Sequence, residues 1–275
     1  MQCSNFRKVN VCYGNMQQVG LVPNGQCFLV PSIFASEPDV LAAQSLRLGG
    51  VSEAPFDSLN LGLSSGDRQE HVLHNREIFY ASLGVPPSRV VLAHQTHSDH
   101  ILRVDAPGRY SDFDALITNQ RNLFLTVSVA DCTPILIYDR AHKAIGAVHA
   151  GWRGTAQRIL YKTLLAMQEA FDTRAKDCIA YIGTCISAES YAVDADVAQY
   201  FESTFKVYDS VSRKFFLDLK AANLHQLYDF GFERAQVEIS PYCSYRDHQY
   251  FFSYRRAVHE TEGRTGRMQA IIGLR

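Results

Sequence analysis

"NLFLTVSVADCTPILIYDRAHKAIGAVHAGWRG", residues 122 to 154, decides how the chain is read. Leu123, Leu125, Val127 and Val129 alternate with smaller or polar residues, which is the period of a strand. "TPILIYD" and "AIGAVHA" follow as short apolar runs, separated by the polar turn Asp139-Arg140-Ala141-His142-Lys143. Three strands in succession therefore place a central sheet here. After Gly154, the spacing of Leu160, Leu164, Met167 and Phe171 by four, three and four predicts a helix with one buried stripe.

Outward from this core the signals alternate between strand and helix. "DRQEHVLHNREIFYASLG" reads as an amphipathic helix with Val72, Ile78 and Leu83 on its buried face, closed by Gly84-Val85-Pro86-Pro87. "SRVVLAHQTHSDHILRV" reads as two strands flanking a histidine-rich turn, or as one long irregular strand. "CIAYIG", "AQVEIS", "YFFSYRR" and "MQAIIGL" read as strands, and residues 194–203 and 217–230 as helices. The fold class is α/β, in the mixed α+β sense. Residues 1–35 form an N-terminal extension or strand pair with a turn at Pro23-Asn24-Gly25, and 36–275 form a single catalytic domain.

Composition narrows the partners. Of the 275 residues 47% are hydrophobic, and 27 Lys and Arg nearly balance 28 Asp and Glu, so no broad field draws nucleic acid or an anionic membrane. A small-molecule partner is the default, with a monomer or weak homodimer as the assembly. The seven cysteines are odd in number and form no C-x-x-C pair, which fits a reducing compartment. The amino-terminal residues carry no signal-peptide core and no run is long and apolar enough for a bilayer, so the expected location is cytoplasmic.

Three side chains that bind metals sit at strand ends or in turns: His97 in "HQTHSDH", Cys132 in "ADCTP" and His149 in "AVHAGWRG". Two imidazoles and a thiolate would leave an open position on a catalytic zinc ion. Their separations match no local zinc-finger spacing, so the fold must bring them together. His94 and His100 flank His97, and either could be the ligand instead. In "HAGWRGT", Gly151 and Gly154 allow a tight path into a helix start, where Arg153 could help to hold an anion. Arg47, Arg76 and the Arg255-Arg256 pair offer further guanidinium forks; on a strand the last two would face opposite ways.

Taken together, "GGVSEAPFDSLNLG", "HNR", "HQTH", "ADCTPILIYD", "AVHAGWRG", "YIGTCISAESYAV", "FFSYRR" and "TGRMQAIIGL" resemble, in order and approximate spacing, the bacterial laccase-like polyphenol oxidase family, whose members are described as purine nucleoside phosphorylases. The resemblance covers residues 47–274. It implies a single layered domain of mixed β-sheets flanked by helices, like cysteine-hydrolase-type toxin domains (CNF/YfiH-like), and a metal held by His97, Cys132 and His149, which would also be the catalytic residues. It further implies zinc as the cofactor, with copper as the other candidate, and Arg76 beside the substrate. The candidates for substrate contact are Arg76, Arg153, Asn60, Gln95 and Arg255. The implied reaction is phosphorolysis of adenosine, inosine, guanosine or methylthioadenosine, with adenosine deamination as a side activity. The chain departs from relatives in "IGTCISAES", where Thr184 stands in place of a common proline, and in "AVHETEGRTGR" after the arginine pair.

Two other classes compete. A copper-dependent polyphenol oxidase would draw on many histidines, commonly in His-x-His pairs, and the ten histidines here include no such pair. A metal or cysteine hydrolase that edits cell-wall nucleotide-peptide precursors could use Cys132 as nucleophile with His149 as base.

Overall fold

The computed structural model describes residues 19–21 and 27–275, with side chains from residue 28 onward. The chain opens with β1 (Val19–Leu21), β2 (Cys27–Leu29) and β3 (Val40–Ser45), then helix α1 (Gln69–Ser82). Next come β4 (Val90–His94), β5 (Ile101–Arg103), β6 (Gly108–Ser111), β7 (Ala115–Thr118), β8 (Phe124–Val129), β9 (Thr133–Asp139) and β10 (Ala144–Ala150). Helices α2 (Trp152–Ala156) and α3 (Ile159–Phe171) lead to β11 (Cys178–Ile182), β12 (Ala192–Val193) and the short α4 (Ala195–Ala198). A hairpin of β13 (Lys206–Asp209) and β14 (Lys214–Leu217) precedes α5 (Leu219–Phe230), β15 (Val237–Ile239), α6 (Tyr254–Glu260) and β16 (Met268–Leu274).

Two mixed sheets carry the core. The first has the order β1-β2-β3-β16-β8-β4-β6 and the second β15-β11-β9-β10-β7-β5, while β12, β14 and β13 form a small third sheet. The period-two alternation of side chains explains how they stack. Leu136 and Tyr138 of β9 and Ile145 and Ala147 of β10 pack against Leu125 and Val127 of β8 and Ala270 and Ile272 of β16, so this cluster lies between the sheets. The alternate residues Ile135, Ile137 and Val148 pack against Leu160, Leu164, Met167 and Phe171 of α3 and Leu224 and Leu227 of α5. On the far side, Phe79 and Tyr80 of α1 cover Leu41, Ala43 and Ile271 of the first sheet. The result is a four-layer sandwich, helix on sheet on sheet on helix. Strands β9 and β10 are buried on both faces, which is why they read as unbroken apolar runs. Each large aliphatic side chain in these clusters contributes roughly 1.5–3 kcal/mol on burial.

The structure departs from the sequence reading in four places. The strands on either side of Ala130-Asp131-Cys132 do not lie in one sheet: β8 belongs to the first and β9 to the second, so these residues cross between layers. "SYRR" begins a helix rather than continuing a strand, because the Ser253 hydroxyl accepts the Arg256 N–H and caps α6. Arg255 and Arg256 therefore do not face opposite ways across a sheet. Of residues 194–203 only Ala195–Ala198 are α-helical. On α1 the buried face is Val72, Asn75, Arg76, Phe79 and Tyr80, with Ile78 at its margin, because the helix packs a polar pair, Asn75 and Arg76, over the loop at 50–62. At the amino-terminal end, β1 pairs antiparallel with β2 and β2 with β3; the turn expected at Pro23-Asn24-Gly25 lies outside the described residues.

Candidate metal centre

Two crossings between the sheets and one strand end converge at one edge of the sandwich. His97 lies between β4 of the first sheet and β5 of the second, and Cys132 between β8 and β9. His149 is opposite Pro134 near the end of β10, and shares the strand parity of Ile145 and Ala147, which face the inter-sheet space. The nitrogen and sulfur donors of His97, Cys132 and His149 all lie within 4.8 Å of one another. Cys132 Sγ is 3.7 Å from His97 Nε2, and the two imidazole rings meet edge to face with centroids 4.9 Å apart. Bonds of about 2.0–2.3 Å to a tetrahedral ion imply donor separations of roughly 3.3–3.8 Å, so the three need only draw in slightly to hold one ion. Neither His94 nor His100 joins the group; the His100 Nδ1 is instead at 3.0 Å from the Asp112 carbonyl.

Asp114 fixes this arrangement, and nothing in its local sequence singles it out. Its buried carboxylate accepts the His149 Nδ1–H at 2.7 Å, which turns Nε2 toward the other two donors. It also accepts the backbone N–H groups of Thr96, His97 and Ser98 and the Ser98 hydroxyl. His97 takes a left-handed backbone, φ 60°, and those bonds hold it there. One carboxylate thus sets the orientation of two imidazoles. Burial works against its charge, but the His149 and Ser98 bonds outweigh burial and bring its pKa down to about 2. Its contribution to stability is full above the ordinary carboxylate range and is lost as the pH falls through about 2.

Glycine leaves the donors their room. A Cβ on Gly151 would come 2.9 Å from His97 Cδ2 and 3.0 Å from Cys132 Sγ. Asp131, next to Cys132, is held by the Ser244 hydroxyl and the Arg255 backbone N–H, both at 2.6 Å, and so ties the start of α6 to the loop that carries Cys132.

Burial would raise the Cys132 thiol, but the imidazoles of His149 and His97 outweigh it and bring it down to about 6. Burial would lower His149, but the Cys132 sulfur and the Asp114 carboxylate outweigh it and raise the imidazole to about 9. Between those values the metal-free site holds a thiolate beside an imidazolium. An ion must displace the His149 proton to bind, so the apparent metal affinity is expected to rise about tenfold per pH unit from about 6 to about 9. Competition against a chelator of known affinity across this range checks the slope; a flat profile would contradict the pairing.

The donors open onto a cavity of about 650 Å³. Gln95, Arg76, Arg153 and Arg255 line it, as do residues the sequence reading did not single out: Arg109, Tyr191, Tyr254 and Arg267. Asn60 does not. It is fully buried, and its side chain instead accepts the N–H groups of Gly62 and Arg267 and donates to Ser65 and Asp67. Gln95 lines the wall with its amide clasped to the backbone of Ser128 in both directions. Trp152 is a cavity wall that also packs on the cluster of Val193, Phe201 and Leu217, with the Arg153 guanidinium 4.6 Å from its ring.

A family model described as multi-copper polyphenol oxidoreductase laccase matches residues 41–275. The chain belongs to this family. Among members, a protein of Bacteroides thetaiotaomicron named purine nucleoside phosphorylase is 37% identical over 76% of this chain and 84% of its own length. The Escherichia coli protein named purine nucleoside phosphorylase YfiH is 32% identical over 86% of this chain and 94% of its own. The crystal structure of YlmD from Geobacillus stearothermophilus superposes with a TM-score of 0.85 at 30% identity, covering 94% of this chain and 98% of that one. The fold expected from the sequence is therefore that of the YfiH and YlmD members, mixed sheets flanked by helices.

Proposed function

We propose that the protein is a zinc-dependent purine nucleoside phosphorylase that converts adenosine, inosine, guanosine or methylthioadenosine, with phosphate, to the free base and ribose 1-phosphate. The observation that carries this reading is the convergence of His97, Cys132 and His149 on one wall of an arginine-lined cavity. Relatives named for this activity support it. A thiolate and two imidazoles suit zinc, and the Asp114–His149 bond is the outer-shell partner such a ligand needs. A bound zinc ion would supply Lewis acidity and an acidified water at that wall, which also accounts for adenosine deamination as a side activity.

In phosphorolysis an oxygen of phosphate bonds to the ribosyl C1′ as the bond to the base nitrogen breaks; the electron pair leaves with the base, which takes up a proton. The ribosyl centre gains positive character on the way, so a neighbouring anion stabilises it. Trp152, Tyr191 and Tyr254 offer flat walls for a purine, and Gln95, Arg76, Arg153 and Arg255 offer polar contacts. Asp114 keeps His149 in one tautomer and His97 in one backbone state throughout. Among the described residues Cys132, Cys178, Cys185 and Cys243 form no disulfide, which agrees with a cytoplasmic setting.

The family description favours copper oxidation of phenols as a second reading. The described residues, which include all ten histidines, gather one group of three possible donors and no second group, too few for a multicopper centre. Editing of cell-wall nucleotide-peptide precursors is the third, with Cys132 as nucleophile, favoured by its lowered pKa. Incubating the metal-loaded protein with inosine or adenosine, with and without phosphate, separates these. Phosphate-dependent release of free base and ribose 1-phosphate is expected; release of no base above a Cys132→Ala control would retire the proposal. Under metal-loaded conditions Cys132 should resist alkylation until a chelator is added, whereas a free nucleophile would react at once.

A further inference from the structure

Five arginines line the cavity: Arg76, Arg109, Arg153, Arg255 and Arg267. Among the described residues the single carboxylate on its wall is Asp131, and both of its oxygens are already engaged by Ser244 and Arg255 N–H. None of the five guanidinium groups pairs with an Asp or Glu among the described residues; the ion pairs involve other arginines. Gathering like charges in a partly desolvated space is costly, and an anion that hydrogen-bonds to them offsets the cost.

The five divide by what already holds them. Arg153 lies over the Trp152 ring, and Arg255 donates to the Ala192 carbonyl at 2.5 Å and lies 5.1 Å from the Tyr191 ring. Both are held against aromatic walls; Arg267 also lies 5.9 Å from the Tyr254 ring, but it shares with Arg76 the strip at Leu61 and Gly62, whose Leu61 N–H donates to the Arg267 carbonyl and whose Leu61 carbonyl accepts Arg76 Nε. Arg76 projects from α1 and is only 8% exposed, with Nε donating to the Leu61 carbonyl at 2.8 Å. Among the described residues its two terminal nitrogens have no hydrogen-bond acceptor, and the residue lines the cavity. Arg109 on β6 is close enough that its charge opposes that of Arg76. Arg267 is anchored through its backbone N–H to Asn60 Oδ1 and through its guanidinium to the carbonyls of Thr265 and Gly266. Its stem lies on Gly62, where any Cβ would come 2.6 Å from Arg267 Cγ. Asn60 holds the Gly62 N–H as well, so one buried amide fixes both Arg267 and the Gly62–Ser65 loop beside it.

We infer that Arg76, Arg109 and Arg267 form the subsite that takes the phosphate dianion, with the exposed Ser64 at its edge and Asn60 as a positioning residue. The inference rests on the phosphorolysis reading and assigns its second substrate a place. It selects Arg76 over Arg153 and over the start of α2, which has only five residues. A planar fork with two unengaged terminal nitrogens matches two phosphate oxygens, which a lysine could not do.

Calorimetric titration of the metal-loaded, full-length protein with inorganic phosphate tests this, alongside steady-state kinetics. Arg109→Ala and Arg267→Lys are the informative variants: the first removes an exposed side chain and the second keeps the stem that packs on Gly62 while losing the fork. Each is expected to weaken phosphate binding about 10- to 100-fold and to raise the phosphate KM in step, with the nucleoside KM within about twofold of wild type. Wild-type affinity for phosphate in both variants, a nucleoside KM that rises instead, or no phosphate binding to the wild type would overturn the subsite. Phosphate binding that depends on these arginines without nucleoside cleavage would leave the subsite standing and remove the phosphorolysis reading. Cleavage with an unchanged phosphate KM in both variants would do the reverse.

Discussion

A Cys132→Ala protein is expected to retain far less than one equivalent of metal and to lose nucleoside phosphorolysis by about a thousandfold or more. The thiolate is the only anionic donor of the three, and its removal leaves two imidazoles to hold a divalent ion. Stabilisation of developing charge by a bound ion amounts to several kcal/mol, and each 1.36 kcal/mol is a factor of ten in rate. The substitution leaves the fold nearly intact, since Cys132 lies on a crossing loop and is not part of the fully buried core. Metal analysis of the purified variant, together with its melting temperature, separates loss of the ion from loss of structure. Full activity with no bound metal would mean that the donors serve another purpose.

Asp114→Asn should have the second-largest effect, and on two properties at once. The carboxylate accepts three backbone N–H groups, a serine hydroxyl and the His149 Nδ1–H. An amide has one accepting oxygen, and its NH₂ would confront donors that it cannot satisfy. Breaking a buried hydrogen-bonded pair of this kind costs about 3 kcal/mol of stability or more. Loss of the outer-shell partner is expected to lower metal affinity about 10- to 100-fold, since His97 and His149 would no longer be held in register. Denaturant unfolding of the metal-free protein reads the first effect and competitive metal titration the second. An unchanged metal affinity in a destabilised variant would show that Asp114 serves the fold alone.

These two residues also show what could be seen before the structure. Cys132 and His149 were visible because each closes an apolar strand with a residue that strands rarely need, and His97 because it sits in a polar turn between two strands. The doubly buried strands β9 and β10 and the stripe of α3 were visible for the same reason, since periodicity reports burial directly. Asp114 is not visible there: an aspartate before a short strand looks like any loop residue, and the five donors to its carboxylate come from two remote segments, residues 96–98 and His149. The crossing of residues 130–132 between sheets was hidden too, because strand periodicity does not say which sheet a strand joins. Asn60, a candidate for substrate contact, instead holds the backbone of Gly62 and Arg267, since a sequence shows that a polar residue lies near a site but not whether it faces the cavity or the backbone around it. Helix α6 was missed because its aromatic start resembles a strand, and only the Ser253 cap marks the turn to helix.

The most direct test is X-ray absorption at the zinc edge on protein purified without added chelator. A single zinc per chain with one sulfur neighbour near 2.3 Å and nitrogen neighbours near 2.0 Å is predicted, with the sulfur signal gone in Cys132→Ala. A first shell of nitrogen and oxygen alone in the wild type, or no stoichiometric metal, would contradict the account.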